Sequence, residues 1–176
     1  MADVEGVERR EVPVAEWAQA VADARDAAYT FFDWLTAVDE TDAAEHPGFD
    51  VVCHLMDVST PRALRRVLLR TRVPDGSAVP SITGVFAGAA WHERETHEMF
   101  GIDFEGFDDG TGLGLRPLLL PDGFEGTPLR KSFVLAARAA KQWPGAKEPG
   151  ESEHTKAPTR RRVQAPGVPG PDWGPR

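Results

Sequence analysis

The chain has 176 residues, with 20 Lys/Arg against 28 Asp/Glu, 41% hydrophobic and 27% charged residues, and one cysteine. That balance suits a globular domain of ordinary size plus extensions and excludes a chain disordered throughout. The lone Cys53 excludes an intrachain disulfide and a cysteine-held metal or iron–sulfur site, and no apolar run reaches the roughly 18–20 residues of a membrane span.

The charge is uneven. Residues 1–129 hold 10 Lys/Arg against 24 Asp/Glu, whereas residues 130–176 hold 10 against 4. An acidic body argues against nucleic acid as a partner. The first thirty residues are acidic and lack an apolar signal core, so a reducing, cytoplasmic location is the expectation.

In chain order, residues 14–28 come first. Trp17, Ala20, Val21, Ala24 and Ala28 fall at i, i+3, i+4, i+7 and i+11, which predicts an amphipathic helix. Tyr29–Val38, rich in aromatic and β-branched residues, reads as a strand. The loop Asp39–Gly48, with His46-Pro47-Gly48, separates it from a second strand, Phe49–Val58. Residues 60–72 carry two signals. Thr60 as N-cap and Pro61 behind it favour a helix, whereas Arg66, Leu68 and Arg70 alternate with Val67, Leu69 and Thr71 as in a half-buried edge strand. A third strand gives the preceding pair the width a stable sheet needs, so a strand is expected.

Val73-Pro74-Asp75-Gly76 is a turn, and Ser81–Ala87 is expected to open a short helix. Ala89–Phe100 reads as a longer helix closed by Gly101 at C′. Leu118–Leu120 reads as a short strand or extended segment. Two Gly/Pro turns then bracket Phe124-Glu125 as a compact loop. From Trp143 onward, 7 Pro and 5 Gly occur in 34 residues, a composition that cannot offset chain entropy by burial. The expected division is therefore a domain over residues 1–142 and an extended basic tail over 143–176. Arg160-Arg161-Arg162 in that tail either touch a neighbouring subunit or anionic lipid, or simply solubilise it.

The helix over 89–100 is the unusual element. His92-Glu93 and His97-Glu98 suggest a zinc hydrolase, but that signature needs histidines four apart. His92 and His97 are five apart, about 140° around a helix of 3.6 residues per turn, and cannot share a metal. With Trp91 at about 0°, Glu95 falls near 40°, Glu98 near 340° and Arg94 near 300°, while Glu93, His97 and Phe100 take the opposite side. This reading leaves no clean apolar stripe. Either the helix is solvated with an Arg94–Glu98 pair of a few tenths of a kcal/mol, or Arg130-Lys131 or another chain neutralises its acids at a seam. No serine among Ser59, Ser77, Ser81 and Ser132 has a histidine at an informative spacing. The glycines of 110–114 lack the strand-then-helix setting of a dinucleotide loop. No catalytic, cofactor-binding or metal residue is assigned.

The runs Val79-Pro80-Ser81-Ile82-Thr83, Ala89-Ala90-Trp91-His92-Glu93-Arg94-Glu95, Met99-Phe100-Gly101-Ile102, Leu118-Leu119-Leu120-Pro121-Asp122, Glu125-Gly126 and Pro128-Leu129-Arg130-Lys131 resemble the 30-kDa subunit family of respiratory complex I. Bacterial members of that family are the C-type subunits of NADH–quinone oxidoreductase. The resemblance covers roughly residues 30–135, with Leu35-Thr36-Ala37-Val38-Asp39 and His54-Leu55-Met56. Two departures stand out: Phe107-Asp108 where relatives carry His-Pro, and Ser132 where they carry an acid.

The resemblance implies a two-layer α+β domain with a mainly antiparallel sheet, and it favours a strand over 62–72. It implies a structural, assembly subunit of the peripheral arm of a proton-translocating oxidoreductase, without catalytic residues of its own and on the cytoplasmic side of the membrane. The implied partners are the 49-kDa-type subunit and cluster-bearing neighbours, with FMN and iron–sulfur clusters on other subunits and none in this chain. Trp91, Glu93, Arg94, Glu95, Glu98, Phe100, Arg130 and Lys131 are the expected seam residues, internal or between subunits. An equivalent subunit of a membrane-bound hydrogenase or formate-linked complex is the alternative. A small metal-dependent hydrolase using His92, His97 and Glu93 is the remote one.

Overall fold

Alternation of apolar and polar residues along three successive segments builds the sheet on which the rest of the chain packs. The computed structural model describes residues 6–121 and 123–134. The strands Phe31–Glu40 (β2), Gly48–Asp57 (β3) and Arg65–Val73 (β4) form an antiparallel meander. The strand Val7–Glu11 (β1) adds in parallel along β4, giving the order β1-β4-β3-β2. Leu35, Ala37, Val51, Cys53, Leu55, Val67 and Leu69 are buried in a core shared with both helices. This is the expected α+β fold with a mainly antiparallel sheet.

The helix Trp17–Asp26 (α1) buries Trp17, Val21 and Ala24, the stripe read from the sequence. It is shorter than residues 14–28. Pro13 leads into a 3₁₀ turn at Val14–Glu16, and Ala28 takes φ 80°, which ends the helix. Tyr29 precedes β2 instead of opening it. Its hydroxyl donates to Glu8 at 3.0 Å, and Arg65 lies over its ring.

The two signals in 60–72 both have a physical counterpart. Thr60-Pro61 produces a single turn, with the Ala63 N–H donating to Thr60 O at 3.1 Å, and Arg62 at φ 66° stops it. The alternating part then runs as β4. The outer side of the sheet is laced by charge: Asp50 accepts from Arg72 at 2.5 Å and Arg70 at 3.1 Å.

The short helix expected over Ser81–Ala87 does not form. Val85 and Phe86 both donate to Ile82 O, which makes one turn, and the Ser81 and Thr83 hydroxyls bond sideways to each other. Two three-residue strands, Ala78–Pro80 (β5) and Asp103–Glu105 (β6), pair in parallel and were not anticipated; nor was β1. The helix Ala89–Phe100 (α2) ends as read, with Gly101 at φ 73° and its N–H on His97 O at 2.7 Å. The chain divides between Lys131 and Ser132. The expected boundary at 142/143 and the basic tail lie outside the described residues.

At the start of β3, Gly48 lies against the backbone of Val73 and Pro74, and a methyl group there would clash with Val73 O. That backbone has no rotamer with which to yield. Gly48→Ala is expected to lower stability by ~1–3 kcal/mol, read as a lower urea midpoint at unchanged m-value.

Candidate functional site

α2 has a buried stripe after all. Ala89, Glu93, Thr96 and Phe100, at i, i+4, i+7 and i+11, are the buried positions, so Glu93 lies in the middle of the inward face. The stripe is hidden in the sequence because its second position, Glu93, is a charged residue type. Its carboxylate is fully buried and accepts the Ile82 N–H at 2.7 Å and the Ser81 hydroxyl at 2.7 Å. No cation among the described residues pairs with it. Burial, only partly offset by those two hydrogen bonds, pushes its pKa up to about 7. Trp91 is the reverse case, an aromatic left 45% exposed with its ring edge-on to His92.

The other charges of α2 engage backbone instead of the basic pair. Glu98 accepts three successive N–H groups, from Leu118 at 3.0 Å, Leu119 at 2.7 Å and Leu120 at 3.1 Å. Burial works against its charge, but these donors, with Arg94 nearby, hold its pKa below the ordinary value. Residues 118–120 therefore curl around a carboxylate and make no strand. Arg94 donates to Arg116 O at 3.2 Å and Pro117 O at 2.7 Å, clamping the same loop from its other side. Glu95, a turn from Trp91, has no hydrogen-bond or ion-pair partner among the described residues.

The expectation that Arg130-Lys131 neutralises these acids is not how the structure uses the pair. Arg130 donates to Phe100 O at 2.5 Å and grips Asp75 at 3.0 and 3.1 Å, with its guanidinium 4.8 Å from the centre of the Phe49 ring. The Lys131 N–H donates to Asp39 at 2.7 Å, and its ammonium reaches Asp42 at 2.6 Å. The turn is thus a clasp joining the end of α2 to the β2–β3 loop and the β4–β5 turn. Gly101 makes room for it: a Cβ there would press on Arg130 and Thr127, each at 3.2 Å.

His92 and His97 face different neighbours. His92 Nδ1 lies 3.2 Å from Leu35 O on β2, with its ring edge-on to Phe32; His97 Nδ1 lies 3.1 Å from Ile102 O and 3.2 Å from Asp103. No group of three His, Cys, Asp or Glu side chains among the described residues is placed to hold a metal. The sequence reading missed Ser81, Thr83, Asp39 and Asp75, which orient the expected residues. The signal for Ser81 and Thr83 was their place in the run Val79-Pro80-Ser81-Ile82-Thr83, one of those that carry the resemblance.

Between α2 and the loop Leu115–Thr127 runs an open groove of about 480 Å³, lined by His97, Glu98, Leu115, Pro117, Leu120 and Phe124. Glu98 holds its outer wall. Glu98→Ala is expected to cost ~1–2 kcal/mol, since half-exposed amides regain water. It is also expected to speed protease cleavage within 115–127, which limited trypsin or thermolysin digestion would read.

The model of a family described as the 30 Kd subunit of respiratory-chain NADH dehydrogenase matches residues 9–139. The chain is 48% identical over 96 residues to the C-type subunit of the NADH-quinone oxidoreductase of Mesorhizobium japonicum, covering 52% of this chain and 44% of that one. Over 125 residues it is 38% identical to the same subunit of Brucella ovis, covering 70% and 58%. It is 44% identical over 100 residues to the mitochondrial NADH dehydrogenase [ubiquinone] iron-sulfur protein 3 of Candida albicans, covering 54% and 33%. The chain thus spans between 33% and 58% of the length of these curated relatives. A solved trypsin-resistant fragment of Nqo5 superposes with TM-score 0.54 at 24% identity, covering 61% of this chain and 85% of that one, a likeness of fold.

Proposed function

The chain belongs to the respiratory-chain NADH dehydrogenase 30 Kd subunit family, and from that premise we propose that it is a structural, non-catalytic subunit of a proton-translocating NADH–quinone oxidoreductase. It sits in the peripheral arm on the cytoplasmic side of the membrane and docks against the 49-kDa-type subunit and cluster-bearing neighbours. FMN and iron–sulfur clusters belong to those other subunits, and attachment to the membrane runs through them. Among the described residues no helix is long and apolar enough to cross a membrane.

The observation that carries the reading is the division of labour on α2. Glu93, Arg94 and Glu98 are engaged inside the chain, where they fix loops. Trp91 stays 45% exposed, an aromatic of the kind that anchors protein interfaces, and Leu119 at 51% and Leu129 at 55% add exposed apolar area. Glu95 adds a carboxylate beside Trp91.

The test is affinity purification of the complex carrying Trp91→Arg or Leu119→Arg. Both positions are exposed, so the folded chain is expected to lose less than about 0.5 kcal/mol while the yield of co-purified subunits drops several-fold. Undiminished recovery of the 49-kDa-type subunit with both variants would refute docking through Trp91 and Leu119.

A further inference from the structure

Glu93 does not stop at its two partners. Its Oε2 is bonded to Ser81 Oγ at 2.7 Å, Ser81 Oγ lies 2.8 Å from Thr83 Oγ1, and Thr83 Oγ1 accepts the Asp108 N–H at 3.2 Å. A row of hydroxyls thus leads from a carboxylate at the centre of the domain to the backbone of the loop 106–114. That loop is exposed and carries Leu113 at 69% exposure. We propose that this row is a proton-sensitive relay, in which the protonation state of buried Glu93 sets the hydrogen-bond polarity, and so the hold, on the 106–114 loop.

Donor and acceptor capacity argues for it. With Glu93 ionised, every hydrogen points inward. The Asp108 N–H donates to Thr83 Oγ1, the Thr83 hydroxyl donates to Ser81, and the Ser81 hydroxyl donates to the carboxylate. Ser81 Oγ also accepts the Thr83 N–H at 3.2 Å, so no hydrogen is idle. With Glu93 protonated, its own O–H must go to Ser81, because Oε1 faces the Ile82 N–H. The Ser81 hydroxyl then turns to Thr83, whose hydrogen loses its acceptor. Thr83 is only 8% exposed, so that hydrogen must find a new partner at the place where the loop is held.

The surroundings leave the proton little else to answer to. Across the core on β3, the titratable group facing Glu93 is the Cys53 thiol, which burial and the Glu93 charge keep protonated. The turn 81–83 presents only hydroxyls and amides, and the neighbouring inward positions of α2 are Ala89, Thr96 and Phe100. At the far end the Asp108 carboxylate accepts the Gly110 N–H within its own loop. Burial places the Glu93 titration near neutrality, so the relay switches near pH 7.

The experiment is a pH titration of the full chain from 5 to 9, followed by amide resonances. In the wild type, the Ile82 and Asp108 amides are expected to shift together with one midpoint near 7. In Glu93→Gln, whose amide donates to Ser81 as the protonated acid does, both should stay at their low-pH positions throughout. In Ser81→Ala, Ile82 should still titrate while Asp108 no longer follows. An Asp108 amide that stays still in the wild type, or that moves in Glu93→Gln or Ser81→Ala as in the wild type, overturns the proposal. If Glu93→Gln does not fold, the wild type and Ser81→Ala decide it alone.

Discussion

Glu93→Ala is expected to lower stability by ~3 kcal/mol at neutral pH, whereas Glu93→Gln is expected to raise it at pH 8. Alanine leaves the Ile82 N–H and the Ser81 hydroxyl without an acceptor in a dry site, at ~1–3 kcal/mol each, and adds a cavity. Removal of a buried charge offsets part of that loss. Glutamine keeps the shape and can bond both partners, its oxygen accepting from Ile82 and its amide donating to Ser81. It carries no charge to desolvate.

The direction with pH follows from linkage. The Glu93 pKa is raised in the fold, from the ordinary 4.5 to about 7, so the native state binds the proton more tightly than the unfolded chain. Wild-type stability should therefore fall as pH rises from 4.5 to 7, by ~3 kcal/mol in total at 1.36 kcal/mol per unit, and be flat above. Asp57, held at about 2 by hydrogen bonds from Ser59 and Arg65, acts in the opposite sense and below this window. Urea melts at pH 5, 6, 7 and 8 would read the difference. Glu93→Gln should flatten the slope and gain ~1–3 kcal/mol at pH 8. Parallel pH curves for the two proteins would show that Glu93 is already ionised across the range.

How much of this was legible depends on where each signal lives. The meander shows itself through aromatic and β-branched enrichment in β2 and alternation in β4, and α1 through the Trp17, Val21, Ala24 stripe, because these patterns are local. β1 is a short run of VERRE that becomes a strand only by pairing with residues 59 positions later, as in Val7 with Arg66. Three-residue strands such as β5 and β6 are too short to show a period. At the site, helical geometry put Glu93 on the side of Phe100, the side the structure buries, but its charge hid the stripe it completes. A carboxylate held by backbone N–H groups leaves no complementary residue type to find; this is true of Glu98, and of Glu93 in its bond to the Ile82 N–H. Arg130 and Lys131, one of the alternatives offered for neutralising these acids, instead engage Asp75, Asp39 and Asp42.

Arg130→Ala is expected to cost ~2–3 kcal/mol, while Lys131→Ala stays within about 0.5 kcal/mol. The two side chains differ in what they cover. The Asp75 pair alone contributes little, since Asp75 is half exposed. The guanidinium, however, also donates to Phe100 O, one of the orphan carbonyls at the end of α2, where a cation meets the negative end of the helix dipole. It stacks over Phe49, itself only 1% exposed, so its removal opens a core aromatic to water. The Lys131 ammonium binds Asp42 in solvent. What Lys131 adds to the clasp is its backbone N–H on Asp39, which alanine retains. Arg130→Lys tests the geometry: a lysine cannot stack, cap and fork together, so it should recover less than half of the loss. Thermal melts of the three variants decide the matter. Equal effects at 130 and 131, or full rescue by lysine, would mean that the turn acts through charge alone and does not close the core around Phe49.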